Sequence, residues 1–481
     1  AVTARRQVDP EFAGSIRVEV IPGGAGQASR LSVVDNGIGL TQAEVHEFLS
    51  TVGGSSKRND AEDVVDRASA GFLGKFGIGL LSCFMVTDEI VVVTKSAKDP
   101  GSRLVEWRGR TDGSYVVAES EGSGAPVGTS VYVTSKEGVE DLFEVERVIE
   151  LARKYAQMLS IPIVVASGAH ETCINRRLPT WQLSCEADGF ELEEYCQEAL
   201  GFRPMDVFRI EAPAGLVRGH LFIRPTRGEA WSQSHHVYAN GMFVSEQVFG
   251  LLPRWASFVG ACMDSGGLRL TASREGLHHD ESLEKTSDQI GSAIRQRLVH
   301  LLRTQPQKFD AIMGVHDTEI RGLAVQDSEF YTVIIDLLEF ETTLGRIRFG
   351  EFRREHERLL VARTAEQYRR LQPIASVLGI RVFNGGFTYH EELLGLAAQR
   401  FPDLSVVGFD TSDLVMSLPE PDDADRFSAV VEEANEMLEP RDCRCVVREF
   451  EPTSVSAMFA LGMDAEYHRQ LDRTKAMSSE L

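Results

Sequence analysis

Val34-Asp35-Asn36-Gly37-Ile38-Gly39-Leu40, with Gly74-Lys75-Phe76-Gly77-Ile78-Gly79-Leu80 downstream, is the pair of segments on which the reading of this chain turns. Both are rich in glycine, which lets backbone approach a ligand where a Cβ would collide. Upstream, Ser15 to Ile21 alternates as a strand, with Ile16, Val18 and Val20 set against Arg17 and Glu19. Leu31 to Val34 is a second apolar run, and it delivers Asp35 at its end. Thr41-Gln42-Ala43-Glu44 then reads as a capping box opening a helix with Val45, Phe48 and Leu49 on its apolar side.

The second segment runs into Leu80-Leu81-Ser82-Cys83-Phe84-Met85, a helix-like apolar stretch. Backbone N–H groups clustered at a helix start favour phosphate through orphan donors and the macrodipole. No Gly-Lys-Ser or Gly-Lys-Thr follows, so this is not a Walker loop, and no third glycine stands in register after Gly39, so it is not a dinucleotide fingerprint. Together the two segments read as two walls of one nucleotide pocket. Between them Gly53-Gly54-Ser55-Ser56-Lys57-Arg58-Asn59-Asp60 is small and polar, the composition of a moving flap.

Asp35–Val45 (DNGIGLTQAEV), Phe48–Lys57 (FLSTVGGSSK) and Gly71–Ser96 (GFLGKFGIGLLSCFMVTDEIVVVTKS) resemble the GHKL ATPases, and within them the ninety-kilodalton heat-shock protein chaperones, including the bacterial high-temperature protein G type. The resemblance implies an α+β fold, a Bergerat-type nucleotide-binding α/β sandwich followed by α/β middle-domain segments. It implies that Asp35 accepts from the adenine amino group, with Thr129 joining through water. It also implies that Gly39 and Leu40 line the base, and that the backbone of Gly74, Lys75, Phe76, Gly77, Ile78, Gly79 and Leu80 wraps the phosphates. A carboxylate facing an exocyclic amine separates adenine from guanine by hydrogen-bond complementarity.

A second set of motifs supports the same resemblance. Val237–Val244, Leu252–Trp255 and Phe258–Ser265 lead into Leu270-Thr271-Ala272-Ser273-Arg274-Glu275-Gly276-Leu277, a succession similar to the middle domain of these chaperones. By that match Arg274 senses the γ-phosphate, a task suited to a planar guanidinium fork. The implied activity is ATP-dependent assistance to protein folding, with ATP or ADP and Mg²⁺ as cofactors. The implied partners are unfolded client proteins and a second copy of the chain, and the implied location is the cytoplasm. The alternative is a scaffold or regulator that binds nucleotide without hydrolysing it.

Three departures qualify that match. The family's general-base glutamate and magnesium-binding asparagine stand on a helix just ahead of the stretch resembling Ala1–Arg6. The expectation is therefore a fragment, with base and metal ligand upstream and no metal ligand of its own. Phe48 stands where many relatives carry an asparagine near the ribose, and Gly54 where a lid lysine is common.

A formal net charge of −22 and a pI near 5.1 oppose non-specific nucleic-acid binding, which wants a basic face. That weighs against the DNA-processing members of the superfamily. No apolar run reaches the roughly 20 residues a membrane span needs. Seven scattered cysteines suggest reduced thiols, and Cys443-Arg444-Cys445 lacks the partner pair of a metal site. His235-His236 and His278-His279 are expected to be solvated.

Residues 1–170 are expected to form the nucleotide domain, with strands at Val91–Thr94, Ser114–Val117, Ser130–Thr134 and Ile161–Val165 and a helix from Glu144 to Leu159. A connector over 171–200 leads to a first middle-domain part over 200–310, with strands at Val207–Ile210 and Leu216–Ile223. Its helix spans Asp288–Arg303, with Ile290, Ile294, Leu298 and Leu301 on one face. A second α/β part over 311–450 is expected to hold a helix near Glu351–Glu366 and strands at Ile380–Asn384, Leu404–Phe409 and Cys445–Phe450. The segment 451–481 begins a further C-terminal element, with Met458, Phe459, Leu461 and Met463 as its apolar residues.

Overall fold

The computed structural model describes residues 1–451 apart from 10, 25–26, 50–79, 99–100, 102, 122–123, 176–177, 228–234, 272–274 and 442, together with 457 and 460. The architecture is α+β, and the chain divides into two compact units, 1–297 and 298–481.

The first unit opens with helix α1 (Val2–Val8) and an eight-stranded sheet. Its strands are β1 (Ile16–Ile21), β2 (Arg30–Asp35), β3 (Glu89–Lys95), β4 (Leu104–Arg110), β5 (Tyr115–Ser120), β6 (Gly128–Thr134), β7 (Ile163–Ser167) and β8 (His170–Cys173). They lie in the order β5-β4-β3-β6-β2-β1-β7-β8, and the pair β1–β7 is parallel. Alternation assigns the faces: in β4, Val105, Trp107 and Gly109 are buried while Arg108 and Arg110 are exposed. Helix α2 (Gln42–Leu49) adds Val45 to the core of Ile90, Val92, Val105, Trp107 and Val133. Helix α3 (Val145–Ala156) adds Val148 to that of Val20, Ile163 and Val165.

The capping box forms as expected, with Thr41 N donating to Glu44 Oε2 at 2.9 Å and Glu44 N to Thr41 Oγ1 at 3.3 Å. β4 and β8 were not among the expected strands. The apolar stretch after Leu80 is a five-residue 3₁₀ helix, Leu81–Met85, and not the start of a long helix. Its carbonyl and amide dipoles sum over little more than one turn, so it carries little of the expected macrodipole.

A five-stranded sheet follows: β9 (Asp206–Ala212), β10 (Val217–Ile223), β11 (His235–Ala239), β12 (Met242–Ser245) and β13 (Val259–Ser265), ordered β12-β11-β13-β10-β9. The stretch expected as a connector carries helix α4 (Gly189–Tyr195) and a π turn over Cys196–Leu200. Leu192, Tyr195, Cys196 and Leu200 pack with Trp181, Phe222, Tyr238 and Cys262 in one core, so this stretch is built into the second sheet's packing. Helix α5 (Glu281–Thr304) buries Ile290, Ile294, Leu298 and Leu301 completely. Arg297 on α5 forks onto Asp206 of β9 at 2.7 and 2.9 Å.

The second unit holds α6 (Pro306–Gln326), which breaks from helical geometry at His316, and a mixed sheet. The strands are β14 (Glu339–Thr342), β15 (Gly345–Arg348), β16 (Arg358–Ala362), β17 (Val382–Asn384) and β18 (Ser405–Gly408), ordered β15-β14-β17-β16-β18. The helix expected over Glu351–Glu366 ends at Glu355, because Arg358–Ala362 is an apolar run that enters the sheet between two parallel neighbours. Cys445–Phe450 is not a strand. No helix among the described residues is long and apolar enough to cross a membrane.

Candidate functional site

The end of β2 and the loop into α2 form a polar corner on the first sheet. Asp35 is the last residue of β2 and lies opposite Thr129 of β6 in the antiparallel register. Asp35 Oδ1 accepts from Gly37 N at 2.7 Å, which turns the chain away from the sheet. Gly39 has φ +67°, and a Cβ there would stand 1.9 Å from Lys95 O. Only glycine permits this approach, and it pins the loop to the end of β3 through Ala97 N donating to Ile38 O at 2.7 Å. Gly128 has φ +140°, and a Cβ there would meet Asp35 O at 2.1 Å.

Thr94, buried on β3, joins these pieces. Its Oγ1 accepts from Leu40 N at 2.9 Å, donates to Gly128 O at 3.1 Å and lies 3.1 Å from Thr129 Oγ1. With the Thr94 proton on Gly128 O, the Thr129 hydroxyl donates to Thr94 and keeps its lone pairs as acceptors. Burial pushes the Asp35 carboxyl above its ordinary range, and the Gly37 N–H only partly offsets that. Gly37 N is bonded to Oδ1, and no hydrogen bond to Oδ2 is found among the described residues, so a half-buried acceptor remains at the corner. An amino group is the chemistry that completes it.

α1 braces the loop from behind. Arg5 Nη1 donates to Asn36 O at 2.6 Å, while Asn36 Oδ1 accepts from Ser15 N at 2.8 Å and its Nδ2 donates to Ala13 O at 3.0 Å. Asn36 is thereby committed to the scaffold.

Of the expected site residues, Asp35, Gly39, Leu40 and Thr129 come together at this corner. Leu40 and Leu80 pack against the same core cluster, which brings the end of the second glycine segment to it. Gly74, Lys75, Phe76, Gly77, Ile78 and Gly79, the Gly53–Asp60 flap, Arg274 and the apolar residues Met458, Phe459, Leu461 and Met463 lie outside the described residues. Beside Arg274, Leu270 and Leu277 form an antiparallel bridge, and Thr271 N donates to Gly276 O at 3.0 Å.

Thr94, Gly128, Arg5 and Asn36 were not among the expected residues. Thr94 has a signal in the sequence: Ile90 and Val92 set the inward parity of β3, and Thr94 is the polar residue that continues it.

The histidine pairs divide. His278 and His279 are exposed as expected, but His235 is buried, with Nε2 accepting from Val248 N at 2.8 Å and its pKa pushed down to about 4 by burial. His236 is half-buried and lies 3.0 Å from the Tyr195 hydroxyl. The second sheet's core, which packs both of its faces, accounts for the difference. No group of metal-ligating side chains occurs among the described residues, and all seven cysteines are free thiols.

Comparison with known proteins agrees with this geometry. Residues 12–121 match the family model described as histidine kinase-, DNA gyrase B- and HSP90-like ATPase, and residues 225–351 match the model described as Hsp90 protein. The chain is similar to the mitochondrial TNF receptor-associated protein 1 homolog of Dictyostelium discoideum, with 26% identity over 66% of this chain and 45% of that protein. It is similar to the chaperone protein HtpG of Rhodospirillum rubrum, at 28% over 68% of this chain and 55% of the relative. For HtpG of Oceanobacillus iheyensis the figures are 24%, 60% and 51%. The chain spans about half the length of the curated relatives it matches.

Proposed function

We propose, from the premise that this chain belongs to the Hsp90 chaperone family of the GHKL ATPases, that it binds ATP at the Asp35 corner and uses it to assist protein folding. The observation that carries the proposal is the half-buried Asp35 carboxylate, held by Gly37 N with its second oxygen available beside Thr129. Adenine offers an amino group where guanine offers a carbonyl, so Asp35 accepts from the first and repels the second. Thr129 offers acceptor lone pairs for a water bridging to the base, and Gly39 and Leu40 line its edge.

The backbone from Gly74 to Leu80 is assigned to the phosphates, and Arg274 to the γ-phosphate. A guanidinium there stabilises charge that develops as the terminal phosphoryl group leaves. Mg²⁺, when bound with the nucleotide, supplies neutralisation of the phosphate charge. Client proteins, a homodimeric assembly and a cytoplasmic location belong to the same proposal.

Arg274→Ala tests it. In the protein extended upstream to include the expected base, release of inorganic phosphate from ATP should fall by at least about a hundredfold, while affinity for a non-hydrolysable analogue changes little. Turnover that survives the substitution would contradict the assignment. Analogue binding without phosphate release by the extended, otherwise unaltered protein would favour a nucleotide-binding regulator.

A further inference from the structure

The second unit contains a cavity of about 660 Å³ between α6, β14 and the loop before the helix His390–Arg400. That volume lies within the range of small-molecule sites, about 300–1,000 Å³. Its walls combine apolar side chains, Phe309, Met313, Leu337 and Phe387 among them, with an unusual number of charges. Leu337 and Phe387 are 41% and 52% exposed, so apolar surface continues to the mouth.

The acidic groups of the wall are largely committed. Both Asp317 oxygens accept from Arg321 Nε, at 2.8 and 2.7 Å. Glu341 Oε2 accepts from Asn384 Nδ2 at 2.9 Å, and Glu339 lies 3.8 Å from Arg348. His390 is buried, and burial pushes its pKa down to about 4, so it adds no cation at neutral pH.

The donors are less fully committed. The Arg321 side chain is 5% exposed and stands over the Phe340 ring at 5.0 Å. Its Nη2 donates to Glu339 O at 2.8 Å, yet Nη1 has no partner among the described residues. Leaving a buried charged donor idle is costly, and an acceptor supplied by a ligand would relieve that cost. Arg346 lines the same cavity, is exposed, and makes no ion pair among the described residues. Asp310 is the acidic residue without a partner there, and it too is exposed.

Two local features hold this shape. α6 departs from helical geometry at His316 (φ −115°, ψ 32°), immediately before Asp317. Tyr389 adopts φ +66°, and its ring fills the space beside Gly322, where an added Cβ would lie 3.0 Å from it. Strain of this kind persists where surrounding structure enforces it.

From the idle Arg321 nitrogen, the unpaired Arg346 and the apolar walls, we infer that this cavity is a second ligand site, one that takes an amphipathic carboxylate. The carboxylate meets the two arginines, and an apolar tail lies along Phe309, Met313 and Leu337. The same chemistry is available from a free aryl or alkyl carboxylic acid and from the C-terminus of a polypeptide ending in an apolar residue. The residues of this site belong to the second unit and those of the nucleotide corner to the first.

Calorimetry on the whole chain tests this with 4-phenylbutyrate, its neutral amide, and a hexapeptide ending in phenylalanine as the free acid and as the amide. At least one free acid is expected to bind at least about tenfold more tightly than its amide, and whichever acid does so names the source. Arg346→Gln, on the surface, should weaken that acid by about tenfold or more. Gly314→Leu serves as a second variant, because an added Cβ there meets nothing within 4 Å and leucine favours helix, so the fold is kept while the cavity is filled. It should abolish binding, whereas Asp35→Asn should leave it unchanged. Equal binding of acid and amide, no binding of either acid, or unaltered affinity in both folded cavity variants would overturn the inference.

Discussion

The Asp35 corner of the first sheet and the Tyr195–Cys262 cluster of the second both bury polar side chains among apolar ones, and burial moves the protonation of both towards neutral forms. In the cluster it pushes Cys196 up to about 12, Cys262 up to about 11 and His235 down to about 4. At the corner it raises Asp35. The two differ in what their polar atoms do. In the cluster, Thr180 Oγ1 lies 3.0 Å from Cys262 Sγ and the Tyr195 hydroxyl 3.0 Å from His236 Nδ1, so these groups pair with one another. At the corner no hydrogen bond to Asp35 Oδ2 is found among the described residues, and Thr129 keeps its lone pairs. Perturbed titration therefore does not separate a binding corner from a packed core here. Unused hydrogen-bonding capacity does so only together with exposure, because His220 and His235 of the second sheet are buried with ring nitrogens unpartnered among the described residues, whereas Asp35 and Thr129 are half-buried.

The sharpest way to break this comparison is a pair of glycine substitutions. In Gly39→Ala a methyl group would stand 1.9 Å from Lys95 O at positive φ, and in Gly219→Ala 2.2 Å from Cys262 O in the second sheet. Each should cost about 3 kcal/mol or more in denaturant unfolding. Only Gly39→Ala should also abolish analogue binding by the fraction that remains folded; loss in both would make the corner one part of a general scaffold.

Acid should separate the two sheets by sign. His220, fully buried on β10 with neither ring nitrogen partnered among the described residues, and His235 have folded pKa values of about 4 against an ordinary 6.5. Between those values the unfolded chain binds protons that the folded chain does not. The stability they contribute is complete above pH 6.5 and is lost as pH falls towards 4, by about 2–3 kcal/mol for each histidine. Asp35 acts oppositely, because a raised carboxyl pKa favours the folded state at low pH and penalises it as pH rises past 3.8. Urea unfolding at several pH values should show a smaller acid loss in His220→Leu. An unchanged slope would remove His220 from the account.

A smaller effect distinguishes the two threonines. Thr94→Val strands Leu40 N and should cost about 1–2 kcal/mol of stability together with analogue affinity. Thr180→Val loses only a contact to sulfur and should cost less than about 1 kcal/mol without touching affinity. Equal losses of affinity would blur the distinction.

Most of the corner was legible in the sequence because its parts are local: a strand ending in a carboxylate, two glycines and a capped helix lie within Leu31–Glu44. Thr129 came through family resemblance. Thr94 was missed because it is distant in sequence from the corner and reaches Leu40 and Thr129 only once β3 pairs with β6. Periodicity located β1, β2, β3 and β6, but β8 is short and polar, and β4 alternates apolar residues with arginine and glutamate. The helix expected across Glu351–Glu366 failed for another reason. Charge at Arg353, Arg354 and Glu355 masked the point where Leu359 and Val361 turn inward as a strand. His235 was expected in solvent because burial by a neighbouring layer is a tertiary fact that no short window contains.

The most direct measurement is the ratio of affinities for non-hydrolysable ATP and GTP analogues, taken by calorimetry on the unaltered chain and on Asp35→Asn. A carboxylate aimed at an exocyclic amine should favour the adenine analogue by at least about tenfold, and the asparagine, offering an amide N–H₂ in its place, should bring the ratio to within about threefold of unity. A preference for adenine that persists undiminished in Asp35→Asn would contradict the assignment of Asp35 as the reader of the base.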